Sequence, residues 1–446
     1  MDKRYYILGG LLVLLLIVFV AFLVSRKGNT RPKGPTTNTI TIWGSYDTEE
    51  NFADIFRDYQ SENKNVEIKY VKKDPATFEN DSINAFAAGT GPDIWIIPNN
   101  WLPKHHDKLA VLGEKKLDPK GKKTNDEVYK NTFLPVAYQD NVLNGQVYGI
   151  PLFVDSLSLF YNSNLFDDKY EAYAQAHRGT DNSEVRKIFN NPPKTWEELN
   201  NFIKYYGPGA IAMGGARNIE NSSDILIALM LQSGAKMTSE DQGAAIFQTS
   251  ANAFFDTPYP GTKALRYYAS FATPGDPNYS WDNGNSQSDY KAFLEGKVAM
   301  MINWSRRAND MKKETGKTPE VTSLPQIKDT NHPLDLASYQ TLTVPKSSKN
   351  IEAAWDLILY MTNPAKATTY LSLTKLPSSL KSRVEGSTNY IDIQNQYATS
   401  WYNPDPAKIT GIFQKAIEQT LGGDNPQTVL EGAAAQITEL LRSLPK

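Results

Sequence analysis

The stretch NGQVYGIPLFVDSLSLFYNSNLF, residues 144–166, decides how the chain is organised. Asn144-Gly145 is a turn signal that leads into Gln146-Val147-Tyr148, and Pro151 then interrupts backbone pairing. Leu152, Val154, Leu157, Leu159 and Tyr161 follow as a mostly apolar run, the pattern of a strand buried on both faces. Asp155 sits inside that run beside Ser156 and Ser158. A carboxylate there must find hydrogen bonds, open onto water or meet a ligand. The chain before this stretch reads as one α/β unit, and the chain after it begins another. The stretch is therefore expected to cross between two lobes, and clefts between domains are preferred places for small-molecule sites.

Working outward to the N-terminal side, residues 39–43 (TITIW) alternate β-formers and end in Gly44-Ser45-Tyr46. Asp47, with Glu50 three residues on, reads as a capping box for a helix whose inner face is Phe52, Ile55, Phe56 and Tyr59. Residues 66–71 form the next strand. Phe78, Ile83, Phe86 and Ala87 mark a second helix that Gly89 and Gly91 end, and residues 94–97 form a third strand. Strand–helix–strand alternation with short connections predicts a doubly wound, mostly parallel sheet. Ligands of such sheets bind beyond the carboxyl ends of the strands, which places Ser45, Tyr46, Asn99, Asn100 and Trp101 on a cleft rim.

On the C-terminal side, Thr195 and Glu198 form a second capping box, with Trp196, Leu199, Phe202 and Ile203 facing inward. Residues 224–231 are apolar nearly all round, as in a buried helix. Trp281 and Asn283 stand in a polar loop. Residues 298–302 (VAMMI) predict a strand that empties into Asn303-Trp304, and Ser305, Arg306 and Arg307 follow. Residues 338–345 predict a second crossover, including Tyr339. A helix over residues 351–361 follows, with Ala354, Trp355 and Ile358 inward, and near the end come Trp401-Tyr402 and a helix over 407–421.

Length and composition bound the rest. With 446 residues, two or three domains are expected, and the complete lack of Cys excludes disulfides, thiol nucleophiles and thiolate metal sites. Only His105, His106, His177 and His332 are present, with no paired metal-ligand spacing, so no metal and no cofactor is expected. No nucleophile elbow or phosphate-cradling loop is present. Residues 5–24 carry no charge and are long enough to span a bilayer. Without a small-residue cleavage site, residues 1–25 read as an uncleaved signal anchor and 26–38 as a flexible tether. Lys3 and Arg4 precede the segment, but Arg26, Lys27, Arg31 and Lys33 follow it, and charge alone favours the opposite insertion. Setting aside those six cations and Asp2 leaves 41 basic and 48 acidic residues from Thr39 onward, net −7. An acidic domain of this kind is a poor nucleic-acid binder.

TITIWGSYD, AFAAGTGPDIWII and GQVYGIPLFVDSLSLFYNSNLF, with PKTWEEL, FLEGKVAMMINW and SYQTLTVPKSSKNIEAAWDLILYMTNP downstream, resemble extracellular solute-binding proteins of ABC importers, the maltose-binding-like branch. The resemblance covers nearly all of residues 39–446. It departs in having an anchor segment in place of a lipid anchor, and in a longer insert over 167–191. It implies a two-lobed periplasmic-binding-protein-like fold, with lobes of 39–153 plus 338–390 and 154–337 plus 391–446. It also implies a single-pass, extracytoplasmic, monomeric capture protein that is not an enzyme, closes on its solute and delivers it to an ABC permease. The expected ligand-binding set is Ser45, Tyr46, Asn99, Asn100, Trp101, Phe153, Asp155, Trp281, Asn283, Asn303, Trp304, Tyr339, Trp401 and Tyr402. So many aromatics beside amides and an acid suit a carbohydrate, whose faces stack on rings. A peptide or polyamine is the alternative ligand. A carbohydrate-active enzyme, which would need paired acids, and a non-transporting sensor are the alternative classes.

Overall fold

The computed structural model describes residues 38–445 except 115, 119, 250–257, 283, 285 and 286. The expected anchor at 5–24 lies outside the described residues. Among the described residues no helix is long and apolar enough to cross a membrane.

The strands are β1 (Asn38–Gly44), β2 (Val66–Lys72), β3 (Ile94–Pro98), β4 (Val142–Leu143), β5 (Gln146–Val147), β6 (Gly149–Pro151), β7 (Asp155–Tyr161), β8 (Met300–Trp304), β9 (Glu320–Ser323), β10 (Asp335–Ser338), β11 (Gln340–Thr343) and β12 (Ala398–Thr399). They build two sheets of opposite character. The first runs β2-β1-β3-β11-β6. Ile40 and Ile42 of β1 are fully buried, and β1 pairs parallel with both β2 and β3. The intervening helices Ala53–Glu62 and Phe78–Ala88 supply the crossovers, the first burying Ile55, Phe56 and Tyr59. Gly89, at φ +67°, ends the second in the left-handed conformation a side chain would resist. β11 and β6 then pair antiparallel.

The second sheet runs β12-β10-β7-β8, with β9 beside β7. Here β7 is antiparallel to β8, β9 and β10, so the expectation of a mostly parallel sheet in each lobe is corrected for this lobe. The reason lies in the crossings. The chain leaves the first lobe through β6 and β7 and returns through β10 and β11, which sets β7 against β10 and β6 against β11, while β8 and β9 add to β7 antiparallel within the second lobe. Asn144 (φ 52°) and Gly145 (φ 74°) make the predicted turn between β4 and β5.

Each sheet has its own core. Ile42, Phe52, Trp355 and Tyr370 belong to the first, with the helix Ile351–Thr362 contributing Ala354, Trp355 and Ile358. Phe160, Phe166, Phe202 and Phe413 belong to the second. The helix Trp196–Tyr206 buries Trp196, Leu199, Phe202 and Ile203, and Thr195 accepts the Glu198 amide. Glu198 does not close the expected box, because its carboxylate takes the Lys194 amide instead. Asp47 caps nothing: its buried carboxylate accepts Asn51 Nδ2 at 2.7 Å and the Tyr370 hydroxyl at 3.1 Å. The insert is ordered as parts of Ser163–Ala176 and Ser183–Phe189, anchored by Phe166, Val185 and Phe189.

Candidate ligand cleft

The crossings meet at Asp155. It opens β7 and is completely buried. Its carboxylate accepts Ser305 Oγ, the Arg306 amide at 3.2 Å and Arg306 Nη1 at 2.9 Å. The same guanidinium donates to the Ser338 carbonyl (3.4 Å) and to Ser338 Oγ (3.3 Å) at the end of β10. Asp155 is thus a buried, paired acid that, through Arg306, fastens the outgoing crossing to the returning one. The pairing follows from burial, since a carboxylate removed from water needs a cation and several donors.

Arg306 also settles where two expected stacking rings stand. Its Cζ lies 5.0 Å from the Trp304 ring and 5.9 Å from the Tyr46 ring, within cation–π range. The rings approach from opposite lobes, and a guanidinium lies beside both. Tyr46 is partly exposed and leans on Phe153 at 5.7 Å. Trp304 is the last residue of β8, at the strand's carboxyl end as expected, but it is only 9% exposed, pairs with Leu157 and packs in the second core.

Two hollows open between the lobes. The smaller, about 90 Å3, brings Asn99 and Asn100 at the carboxyl end of β3, with Gln139 and Asp140, against Gln242, Trp401 and Tyr402. Asp140 organises its first-lobe wall. Its carboxylate is enclosed by Ser400 Oγ, the Tyr339 hydroxyl (2.7 Å) and Asn99 Nδ2 (2.8 Å). Burial pushes this acid up to about 6, against the pull of those three donors. The larger hollow, about 610 Å3, lies between Tyr46, Asn51 and Lys72 with 373–376 on one side and Asn309, Asp310, Lys312 and Lys313 of the helix Arg307–Thr315 on the other. Asn309 Nδ2 crosses it to the Thr374 carbonyl at 3.1 Å.

Elsewhere Lys104 bridges the lobes, reaching Glu79 at 2.7 Å and Asp405, which caps the helix Pro406–Leu421, at 3.0 Å. The hydrogen bond from His105, with Lys104 adding to it, holds Glu79 down to about 2. A hollow of about 940 Å3 beside the helix Trp196–Tyr206 lies wholly on the second lobe, where no lobe movement would enclose a ligand.

The hollows therefore gather Tyr46, Asn99, Asn100, Trp401 and Tyr402, with Ser45 half-buried beside Tyr46; Trp401 presents only an edge, since it is 9% exposed and otherwise packs in the second core. Several other expected site residues are placed differently. Trp101 packs on Phe78, Trp95 and His105 within the first lobe. Phe153 is 2% exposed and bridges to Ser378. Tyr339 is buried, with its hydroxyl spent on Asp140. Trp281 belongs to the second core, and Asn303 is buried and donates to Glu220 at 3.2 Å. Asn283 lies outside the described residues. Arg306 and Asp140 were missed as organisers: Arg306 was visible only as one of the polar neighbours of Trp304, and nothing adjacent to Asp140 in the chain signals its role. Among the described residues no group of three or more acidic or histidine side chains could hold a metal ion.

Two lobes joined by crossing strands, with a polar and aromatic cleft between them, define a solute-binding protein. A family profile described as bacterial extracellular solute-binding protein matches residues 54–396, and the chain belongs to that family. A putative binding protein of Brucella abortus is 21% identical over 402 residues, covering 88% of this chain and 90% of the relative. The maltotriose-binding protein of Pyrococcus abyssi is 24% identical over 348 residues, 75% of this chain and 64% of the relative. Among solved structures, the cyclic α-maltosyl-1,6-maltose binding protein of Arthrobacter globiformis superposes with a TM-score of 0.71 at 19% identity, covering 92% of this chain and all of that one.

Proposed function

We propose that the chain captures a carbohydrate between its lobes and, by hinge closure, presents it to the permease of an ABC importer. The observation that carries this reading is the interlobe cleft itself, where Tyr46, Asn100, Trp401 and Tyr402 offer rings and amides from both sides. The saccharides named for its relatives support the ligand class. A ligand touching both lobes favours whichever arrangement brings them together, which is all that hinge closure requires. The lobes are assigned as 39–153 plus 338–390 and 154–337 plus 391–446, and residues 5–24 as the anchor that keeps the domain outside the cell. The chain is read as a monomer and not as an enzyme. A melting-temperature screen against mono- and oligosaccharides, peptides and polyamines tests the ligand class. Stabilisation by saccharides alone is expected, and stabilisation by peptides or polyamines alone overturns it. Protection of the main domain from external protease in intact cells would overturn the placement.

A further inference from the structure

The larger interlobe hollow has a charge that contradicts the rest of the molecule. The chain beyond residue 38 is net acidic, yet this hollow is lined by Lys72 and Lys375 from the first lobe and Lys312 and Lys313 from the second. Its two acids are already engaged. Asp47 is buried and hydrogen-bonded to Asn51 and Tyr370, and Asp310 pairs with Arg307 at 3.4 Å. Among the described residues none of the four ammonium groups makes a direct ion pair, although Asp47 and Glu50 lie close enough to feel the Lys72 charge. The one hydrogen bond the Lys72 ammonium makes among the described residues is to the Tyr46 carbonyl, at 3.4 Å. At about 610 Å3 the space is of the size that holds a small ligand.

The placement of the lysines on both lobes matters more than their number. Drawing the lobes together brings the two pairs of like charges closer, and their repulsion grows as the gap falls toward the screening length of about 8 Å at physiological salt. That opposes closure unless negative charge comes to lie between them. A neutral solute leaves the repulsion in place, whereas an anionic one converts it into attraction from both sides. Resting on the reading of the chain as a carbohydrate-capture protein, we infer that its solute is an anionic saccharide, whose carboxylate or phosphate is held between Lys72 and Lys375 on one lobe and Lys312 and Lys313 on the other. The Tyr46 ring at the same hollow supplies a stacking face for the sugar, so charge and ring are read together.

Calorimetric titration of the full chain with matched pairs tests this: trigalacturonate against its neutral methyl ester, and maltose 1-phosphate against maltose. In at least one pair the charged member is expected to bind at least about tenfold tighter, and to weaken as salt rises from about 50 to 300 mM. The pair in which it does so separates carboxylate from phosphate. The Lys312→Gln/Lys313→Gln/Lys375→Gln variant should lose about tenfold for the charged member, the order expected of three partly screened contacts, and almost nothing for the neutral one. Neutral members binding as tightly as charged ones, with the variant unchanged, would overturn the inference and leave carbohydrate capture standing. Binding by no member of either pair would count against both.

Discussion

Replacing either partner of the Asp155–Arg306 pair should destabilise the fold, and unequally. Truncating one member of a buried ion pair costs about 3–5 kcal/mol, because the other is left charged and unpaired. Asp155 is fully buried and Arg306 keeps 22% of its side-chain surface. Arg306→Ala strands a carboxylate that has no access to water and retains only Ser305 Oγ and the backbone amide at residue 306, so the upper end of the range applies. Asp155→Ala strands a guanidinium that can still be hydrated, touch two rings and donate to Ser338, so the effect is at or below the lower end. Unfolding entropy of about 2.1 cal/mol/K per residue gives roughly 0.8 kcal/mol per degree for some 400 residues. The expected losses in Tm are then about 5–6 °C for Arg306→Ala and at most about 4 °C for Asp155→Ala. A double change to Leu at 155 and Met at 306 should be milder than Arg306→Ala, since apolar replacement of both partners is often neutral. Differential scanning calorimetry of the four proteins is the assay. An Arg306→Ala variant that melts within about 1 °C of the parent, or less destabilised than Asp155→Ala, would refute the reasoning.

Asp289 is fully buried with Oδ2 lacking a partner among the described residues, and burial raises it to about 7. Its folded value exceeds its unfolded one, so its contribution is favourable below about pH 4 and is lost as pH rises through 7; Asp289→Asn should add about 1–3 kcal/mol at pH 8 and little at pH 4 in melts at the two pH values. Gly149 of β6 has no room for a side chain, since a Cβ would overlap Thr341 Oγ1 and come within 2.9 Å of Asn141 Oδ1; Gly149→Ala should cost about 1–3 kcal/mol by denaturant unfolding. Trp304→Ala should cost about 3–5 kcal/mol, as for a core tryptophan; a melting temperature that holds while saccharide affinity falls would restore Trp304 to the cleft.

What was legible in the sequence depended on how local its cause was. The helix Trp196–Tyr206 could be read because its cap and its whole buried face lie within nine residues. Gly89 and the Asn144-Gly145 turn were legible for the same reason, as each answers a backbone requirement at its own position. Tyr339 was misread because its polar neighbours in the chain resemble a cleft rim, whereas its hydroxyl partner Asp140 is 199 residues away. Asp47 looked like a cap until Tyr370, 323 residues distant, took its carboxylate. Trp281 and Trp304 failed similarly: flanking polarity reports the surroundings of the backbone, not of a large ring that reaches past them. The antiparallel second sheet was hidden because β7 pairs with β8, β9 and β10, strands far along the chain whose direction no local pattern fixes.

The central claim is that a solute closes the lobes upon each other about the crossings near Asp155 and Ser338. Small-angle X-ray scattering with and without a saturating saccharide, chosen by the melting screen, measures this directly. The radius of gyration should fall on binding, and it should fall again when ligand is restored to a stripped sample. A calorimetrically saturated protein whose radius of gyration is unchanged would contradict capture by hinge closure.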